Sequence, residues 1–178
     1  MIEFSPKNAR VEVLTYKEGL LSPVAHDLLI RVQRFAIEVD EGKVDAEIDL
    51  SSLVVVNARK DGSDEPGTLS DSDKEKIRKT IQGEVLHTQR YPEAHFEADL
   101  HALDEGAVEG ELELHGENRD VRARVEEIDG GVRVSVEVWQ PDFNIVPYSA
   151  MFGTLRVRAD VVIQVTLLDT TLEALRGA

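Results

Sequence analysis

From Ala94 onward, apolar and polar positions alternate. Ala94, Phe96, Ala98, Leu100 and Ala102 fall on one side, and His95, Glu97, Asp99 and His101 on the other. A period of two marks a strand with one dry and one wet face. After Asp104-Glu105-Gly106, Val108, Gly110, Leu112 and Leu114 alternate against Glu109, Glu111, Glu113 and His115. A three-residue break ending in Gly suits a hairpin loop. Setting Leu103 against Ala107 puts Asp99 opposite Glu111, Glu97 opposite Glu113 and His95 opposite His115, with both dry faces on one side.

The same signal recurs along the chain. Ala9, Val11 and Val13 give a first strand. Gly19 to Pro23 breaks it, with Leu20 and Leu21 placed to plug one end of the core. Leu28, Ile30 and Val32 give a second, and Phe35, Ile37 and Val39 continue it with shifted parity, which predicts a bulge near Gln33-Arg34. Glu41-Gly42 turns the chain and sets Phe35, Ile37 and Val39 against Ile48, Ala46 and Val44, before a third strand that continues through Ser51-Ser52 into Leu53 to Val56. Asp61 to Gly67 reads as loop throughout. Asp129-Gly130 joins Val121, Ala123 and Val125 to Val132, Val134, Val136 and Val138, setting Arg122 against Glu137 and Glu126 against Arg133. A loop from Gln140 to Gly153 precedes the strand expected to be longest, Leu155 to Leu167.

One long helix is predicted over about residues 71–89. Ser70 or Ser72 caps it, Ile77, Ile81 and Val85 keep helical spacing, and Pro92 forces an end. Thr170 or Thr171 caps a short C-terminal helix with Leu172 and Leu175. The fold class is mainly β. Eight consecutive antiparallel strands with one inward face each are best satisfied by a barrel, a single domain over residues 1–178.

Composition narrows the function. A formal charge of −15 over 178 residues makes nucleic acid and anionic bilayer surfaces poor expected partners. With no cysteine there is no disulfide, thiolate metal site or thiol nucleophile. No window approaches the ~20 apolar residues of a membrane span, so stable membrane insertion is not expected. Met1 to Pro6 lacks a basic region followed by an apolar run, which predicts a cytoplasmic protein, or a periplasmic one if a leader has been removed.

Few residues suggest chemistry. His95 opposite His115, with Glu97 and Glu113 beside them, offers a divalent-cation site, weighed against a solvent-facing patch, which is favoured. His26-Asp27 has no nucleophile at recognisable spacing, and no hydrolase, phosphate or calcium motif is present. No enzyme activity, catalytic residue or cofactor is expected. Trp139 faces outward by parity and marks a dimer contact or a mouth-side patch.

Tyr91-Pro92 leading into Phe96, Gly110 to Gly116 (Gly-Glu-Leu-Glu-Leu-His-Gly), Asp142-Phe143, and Asn57 to Asp61 together resemble the YceI family of lipocalin-like, polyisoprenoid-binding domains, from about Val11 to Val165. The resemblance implies an eight-stranded barrel with a helix over one end and sequestration of a long apolar chain in its lumen, without catalysis. Departures are the missing leader, the absence of the Arg and Gly that usually flank Asp142-Phe143, and His115 where a basic residue often stands.

The expected cargo is an isoprenoid, quinone or fatty acyl chain. Phe35, Ile37, Phe96, Leu112, Leu114, Val134, Val136, Phe143, Val157 and Val161 are the candidate lining. The acidic charge favours a neutral head such as a quinone unless Arg59, Lys60 or Arg90 gather at the mouth. The competing expectation is a packed-barrel interaction or stress-response domain with no lipid cargo, one form of which is a homodimer.

Overall fold

At Glu41-Gly42, Asp61-Gly62 and His115-Gly116 both residues take left-handed φ, 48° and 73°, 50° and 80°, 54° and 78°. This is the backbone that the tightest two-residue hairpins require, because its twist matches that of the flanking strands. The computed structural model describes residues 1–18 and 25–178, and the expected plug at Leu20 and Leu21 lies outside the described residues.

In chain order the elements are β1 (Ile2–Phe4), β2 (Ala9–Thr15), β3 (Asp27–Val32), β4 (Phe35–Asp40), β5 (Lys43–Asp49), β6 (Leu53–Lys60), β7 (Ser63–Glu65), α1 (Asp71–Thr80), β8 (Glu93–Asp99), β9 (Ala107–Leu114), β10 (Glu117–Ile128), β11 (Gly131–Trp139), β12 (Ser149–Ala150), β13 (Leu155–Arg156), β14 (Asp160–Leu168) and α2 (Leu172–Arg176). Twelve strands form one antiparallel sheet in the order β1-β4-β5-β8-β9-β10-β11-β14-β2-β3-β6-β7, and β12 and β13 form a separate small hairpin. The molecule is mainly β, as expected. Instead of eight uninterrupted strands, however, the described residues give fourteen shorter ones.

The interruptions have local causes. Ser52, between β5 and β6, braces the bend between β3 and β4: its Oγ accepts from the Gln33 and Arg34 N–H groups at 3.1 and 2.9 Å and donates to the Asp49 carbonyl at 2.7 Å. The expected irregularity at Gln33-Arg34 is therefore matched by a second one, Leu50–Ser52, which breaks the third strand into β5 and β6. The β4–β5 register is the expected one, from Phe35 against Ile48 to Asp40 against Lys43.

Other expectations need correction. Across β8 and β9, His95 faces Glu113, Phe96 faces Leu112 and Glu97 faces Glu111, two residues away from the expected register. The turn Leu100–Ala102, capped by Asp99 through the His101 N–H at 2.9 Å, takes up those residues. A slip of two keeps every dry face dry, so periodicity alone does not exclude it. Glu126 does face Arg133, but Arg122 bonds Glu109 at 3.1 Å rather than Glu137, because the β10–β11 ladder stops at Ala123 and Val136. Asp61-Gly62 turns a hairpin into β7 instead of ending regular structure. β10 is the longest strand, and Leu155–Arg156 is detached from β14.

Ser70 caps α1, its Oγ accepting from the Asp73 N–H at 3.1 Å. Beyond Thr80 the helix widens, Leu86 N–H reaching back five residues to the Ile81 carbonyl at 2.8 Å, and left-handed His87 ends it before the expected residue 89. At the opposite end of the sheet from α1, Phe4, Val39, Leu100, Val132, Leu167 and Leu175 of α2 are buried in one cluster.

Candidate functional site

Above that buried floor the sheet curls around a cavity of about 710 Å³. Strands from both ends of the sheet order face it: Val13 of β2, Ile30 of β3, Ile37 of β4 and Ile48 of β5 share its wall with Phe96, Leu112, Val136 and Ile163. Leu69, Ile77, Ile81 and Leu86 close it from the helix side. Many of these inward side chains, among them Val13, Ile48, Phe96, Val134, Ile163 and Val165, are only half-buried although they point away from the outer surface. The inner face is therefore an unfilled surface over part of its length; a packed core would bury them completely.

Gly110 shapes that wall. A Cβ there would lie 2.5 Å from the Phe96 ring and 2.7 Å from the Glu97 carbonyl oxygen, so the missing side chain is what lets Phe96 lie flat across β9.

Of the predicted lining residues, Ile37, Phe96, Leu112, Leu114, Val134, Val136, Val157 and Val161 stand on the cavity wall. Phe35 and Phe143 do not. Phe35 follows the Ser52 bend and packs half-buried against the core cluster. Phe143 is 2% exposed, in the short turn Gln140–Phe143 that packs beside the start of β10. Sequence reasoning missed Val13, Ile163 and Val165 as lining, though their parity was visible, and it missed the helix as part of the wall.

The exposed charged residues of the lining, Asp73 and Lys76 on α1 and Arg156 on the β12–β13 hairpin, mark the cavity mouth. His26, Asp73, Lys76, Tyr148 and Arg156 line it. Arg59, Lys60 and Arg90 are absent from it: Arg59 is paired with Asp64 at 3.0 Å, and Arg90 lies over the Tyr91 ring.

His115 and His95 are separated, and the two-imidazole metal site is not assembled. The His115 ring packs on Tyr91 with centroids 4.3 Å apart; its Nδ1 meets the Phe143 carbonyl at 3.1 Å and its Nε2 meets His87 Nδ1 at 3.3 Å. This contact ties the end of α1, the Tyr91-Pro92 segment and the Gly110–Gly116 motif together. Burial, with the nearby His87 and Arg90, holds the His115 pKa below 6.5, outweighing the Phe143 carbonyl.

His95 lies on the outer wall, 3.1 Å from Asp45 through Nε2 and 3.8 Å from Glu97 through Nδ1. The two ring nitrogens face different carboxylates, an arrangement that favours the charged imidazole. Beside it runs an unbroken cross-strand row of acids, Glu3, Glu38, Asp45, Glu97, Glu111 and Asp120. Burial pulls the His95 pKa down, but Asp45 above all, with Glu97 and Glu47, outweighs it and holds the value above 6.5. A raised folded-state pKa stabilises below the unfolded value and loses its effect as pH rises through the folded one. His95→Gln is therefore expected to lower the urea midpoint at about pH 5.5 and to have little effect at about pH 8. An equal loss at both would contradict this assignment.

The comparisons follow the same geometry. A family model described as the YceI-like domain matches residues 30–168. Among solved structures, the chain is similar to Burkholderia cenocepacia BcnA (17% identity, 91% of this chain and 96% of that one, TM-score 0.59). It is also similar to a polyisoprenoid binding domain from Saccharophagus degradans (13%, 89% and 91%, TM-score 0.53). A YceI protein from Campylobacter jejuni aligns with a TM-score of 0.50 (14%, 85% and 87%). No curated protein matches the sequence. The matched segment takes in β4 to β14, α1 and most of the cavity wall, and the chain belongs to the YceI-like domain family.

Proposed function

We propose that the protein binds one long apolar chain, of isoprenoid, quinone or fatty acyl type, inside the cavity and sequesters or carries it without catalysis. The supporting observation is the unfilled aliphatic interior. Its size falls within the ~300–1,000 Å³ of ordinary small-molecule sites. Each methylene moved there from water contributes about 0.8 kcal/mol, so a tail needs no polar contact to bind. A domain with a packed interior would leave no such space, which counts against the interaction-module alternative.

Counting β3–β4 and β5–β6 each as one bent strand, and setting aside the three-residue strands β1 and β7 at the ends of the main sheet, leaves eight antiparallel ladder members: β14 pairs with β2, and the bent hairpin pairs with β2 on one side and β8 on the other. We read this as a lipocalin-like barrel whose floor is filled and whose upper half is hollow. The head group sits at the mouth, where Lys76 and Arg156 supply positive charge that Arg59, Lys60 and Arg90 do not. That charge removes the objection to a carboxylate or phosphate head, so a neutral quinone is no longer the preferred cargo over an acidic lipid.

Native mass spectrometry of protein purified from its own host tests the proposal. The expected spectrum carries an adduct that organic extraction removes and identifies as a long-chain lipid. Protein that stays at its bare mass, including after incubation with such lipids, would refute it.

A further inference from the structure

The hairpin beside the mouth has a feature the cavity does not explain. Its ladder pairs Ser149 with Arg156 and Ala150 with Leu155, and its base contributes Tyr148, Leu155, Arg156 and Val157 to the cavity lining. At its tip Phe152 is fully exposed (111%) and Met151 is 62% exposed, with Val146 close by in sequence at 79%. Met151, Phe152 and Gly153 all have left-handed φ, 52°, 56° and 83°. Side chains with a Cβ reach that region only at a cost, and here the backbone holds a Phe out in water. Neither the strain nor the exposure is rewarded in solution; a partner that takes Phe152 out of water rewards both.

The charges nearby indicate which partner. The chain as a whole carries −15, yet Lys76 and Arg156 stand at the mouth, and among the described residues neither makes an ion pair. The mouth carboxylate, Asp73, is engaged by the Ser70 hydroxyl at 2.7 Å. Lys76 interacts with Asp73 on the same helix, and no acid is paired with Arg156 among the described residues; protruding apolar side chains beside these cations match the interface of an anionic bilayer. The same few side chains are far less than the ~800 Å² per partner of a stable protein interface.

We infer that residues 149–156 form a membrane-contact finger: Met151 and Phe152 enter the head-group layer of an anionic bilayer and seat the cavity mouth on it. The contact is peripheral and reversible. It rests on the cargo proposal only for its purpose, which is to let an apolar chain pass between bilayer and cavity without crossing water.

Phe152→Trp in a Trp139→Phe background places the chain's one tryptophan at the tip. The probe is vesicles of phosphatidylcholine with about 30% phosphatidylglycerol. The expected result is a blue shift on adding vesicles, quenching by brominated acyl chains, and flotation reduced about tenfold or more in Met151→Ser/Phe152→Ser. No shift, or flotation unaffected by the double substitution, would overturn the finger. So would a dimer in sedimentation that the double substitution dissolves, with no vesicle response in either protein. Uptake of a fluorescent fatty acid in vesicle-free solution is measured in parallel: its absence would overturn the cargo proposal, whereas the vesicle response alone decides the finger.

Discussion

Replacing Ile163 by Trp is expected to weaken fatty acid binding by about two orders of magnitude while moving the melting temperature only slightly. Ile163 lies mid-wall, paired with Val13 on one side and Val136 on the other, and its side chain is half-buried against open cavity. An indole there has space to grow into, so it fills volume that a tail would occupy without forcing the wall apart. In a packed core the same change would cost about 1–3 kcal/mol through strain. The two cases therefore separate cleanly: loss of binding with a retained melting temperature marks a hollow interior, and loss of the fold marks a filled one. Ile163→Val, which only enlarges the space, should keep binding within about tenfold of wild type. Titration with a fluorescent fatty acid and a thermal melt of each variant supply both readings.

The largest expected effect on stability lies at the filled end. Gly131 begins β11 opposite Leu168, and a Cβ built on it would lie 2.0 Å from the Leu167 carbonyl oxygen. The obstacle is backbone in a ladder and cannot swing aside like a side-chain tip. Gly131→Ala should therefore destabilise by about 2–4 kcal/mol, seen as a lower denaturant midpoint. Gly83 provides the control. It lies in the widened end of α1 with nothing within 4 Å of an added Cβ, and Gly83→Ala should be neutral or stabilise by up to about 1 kcal/mol. Equal losses at both positions would contradict the packing described for β11 and β14.

Period-two patterning carried most of the architecture because each strand has one inward face and the turns are chemically explicit. Glu41-Gly42 and Asp129-Gly130 each fix a register, and the structure has Val39 against Val44 and Val125 against Val134 as that chemistry requires. Where the connection is not a two-residue turn, the pattern constrains only parity. Leu100–Ala102 moved the β8–β9 register by two, the apolar residues of β8 and β9 kept their inward face while Ala102 turned outward, and the His95–His115 pairing was lost. Asp61-Gly62 carried the same turn signal as Glu41-Gly42, yet the polar residues around it read as loop, and β7 was missed.

The cavity was legible as a face rather than as a volume. Parity identifies which side chains point inward, but it does not say whether opposite walls meet. Phe35 was placed on the lining by its alternation with Ile37 and Val39, and Phe143 was placed there although it lies in the loop from Gln140 to Gly153, where no alternation runs. Phe143 is instead one of the most deeply buried side chains, packed beside β10, and the wall over the hollow half is built from β-branched and leucine side chains with Phe96 over Gly110. The mouth could not be read at all, since Lys76 on α1 and Arg156 on the small hairpin are eighty residues apart and come to the same cavity only in the folded chain.

The central claim is that the cavity is a place where an apolar chain resides. A crystal structure of the protein with a fatty acid brominated at its tail end tests it most directly, because bromine is located by its anomalous scattering wherever it lies. A bromine peak is expected inside, among Phe96, Leu112 and Ile163, with the carboxylate toward Lys76 and Arg156. Bromine found only on the outer surface, with side chains closed across the interior, would contradict it.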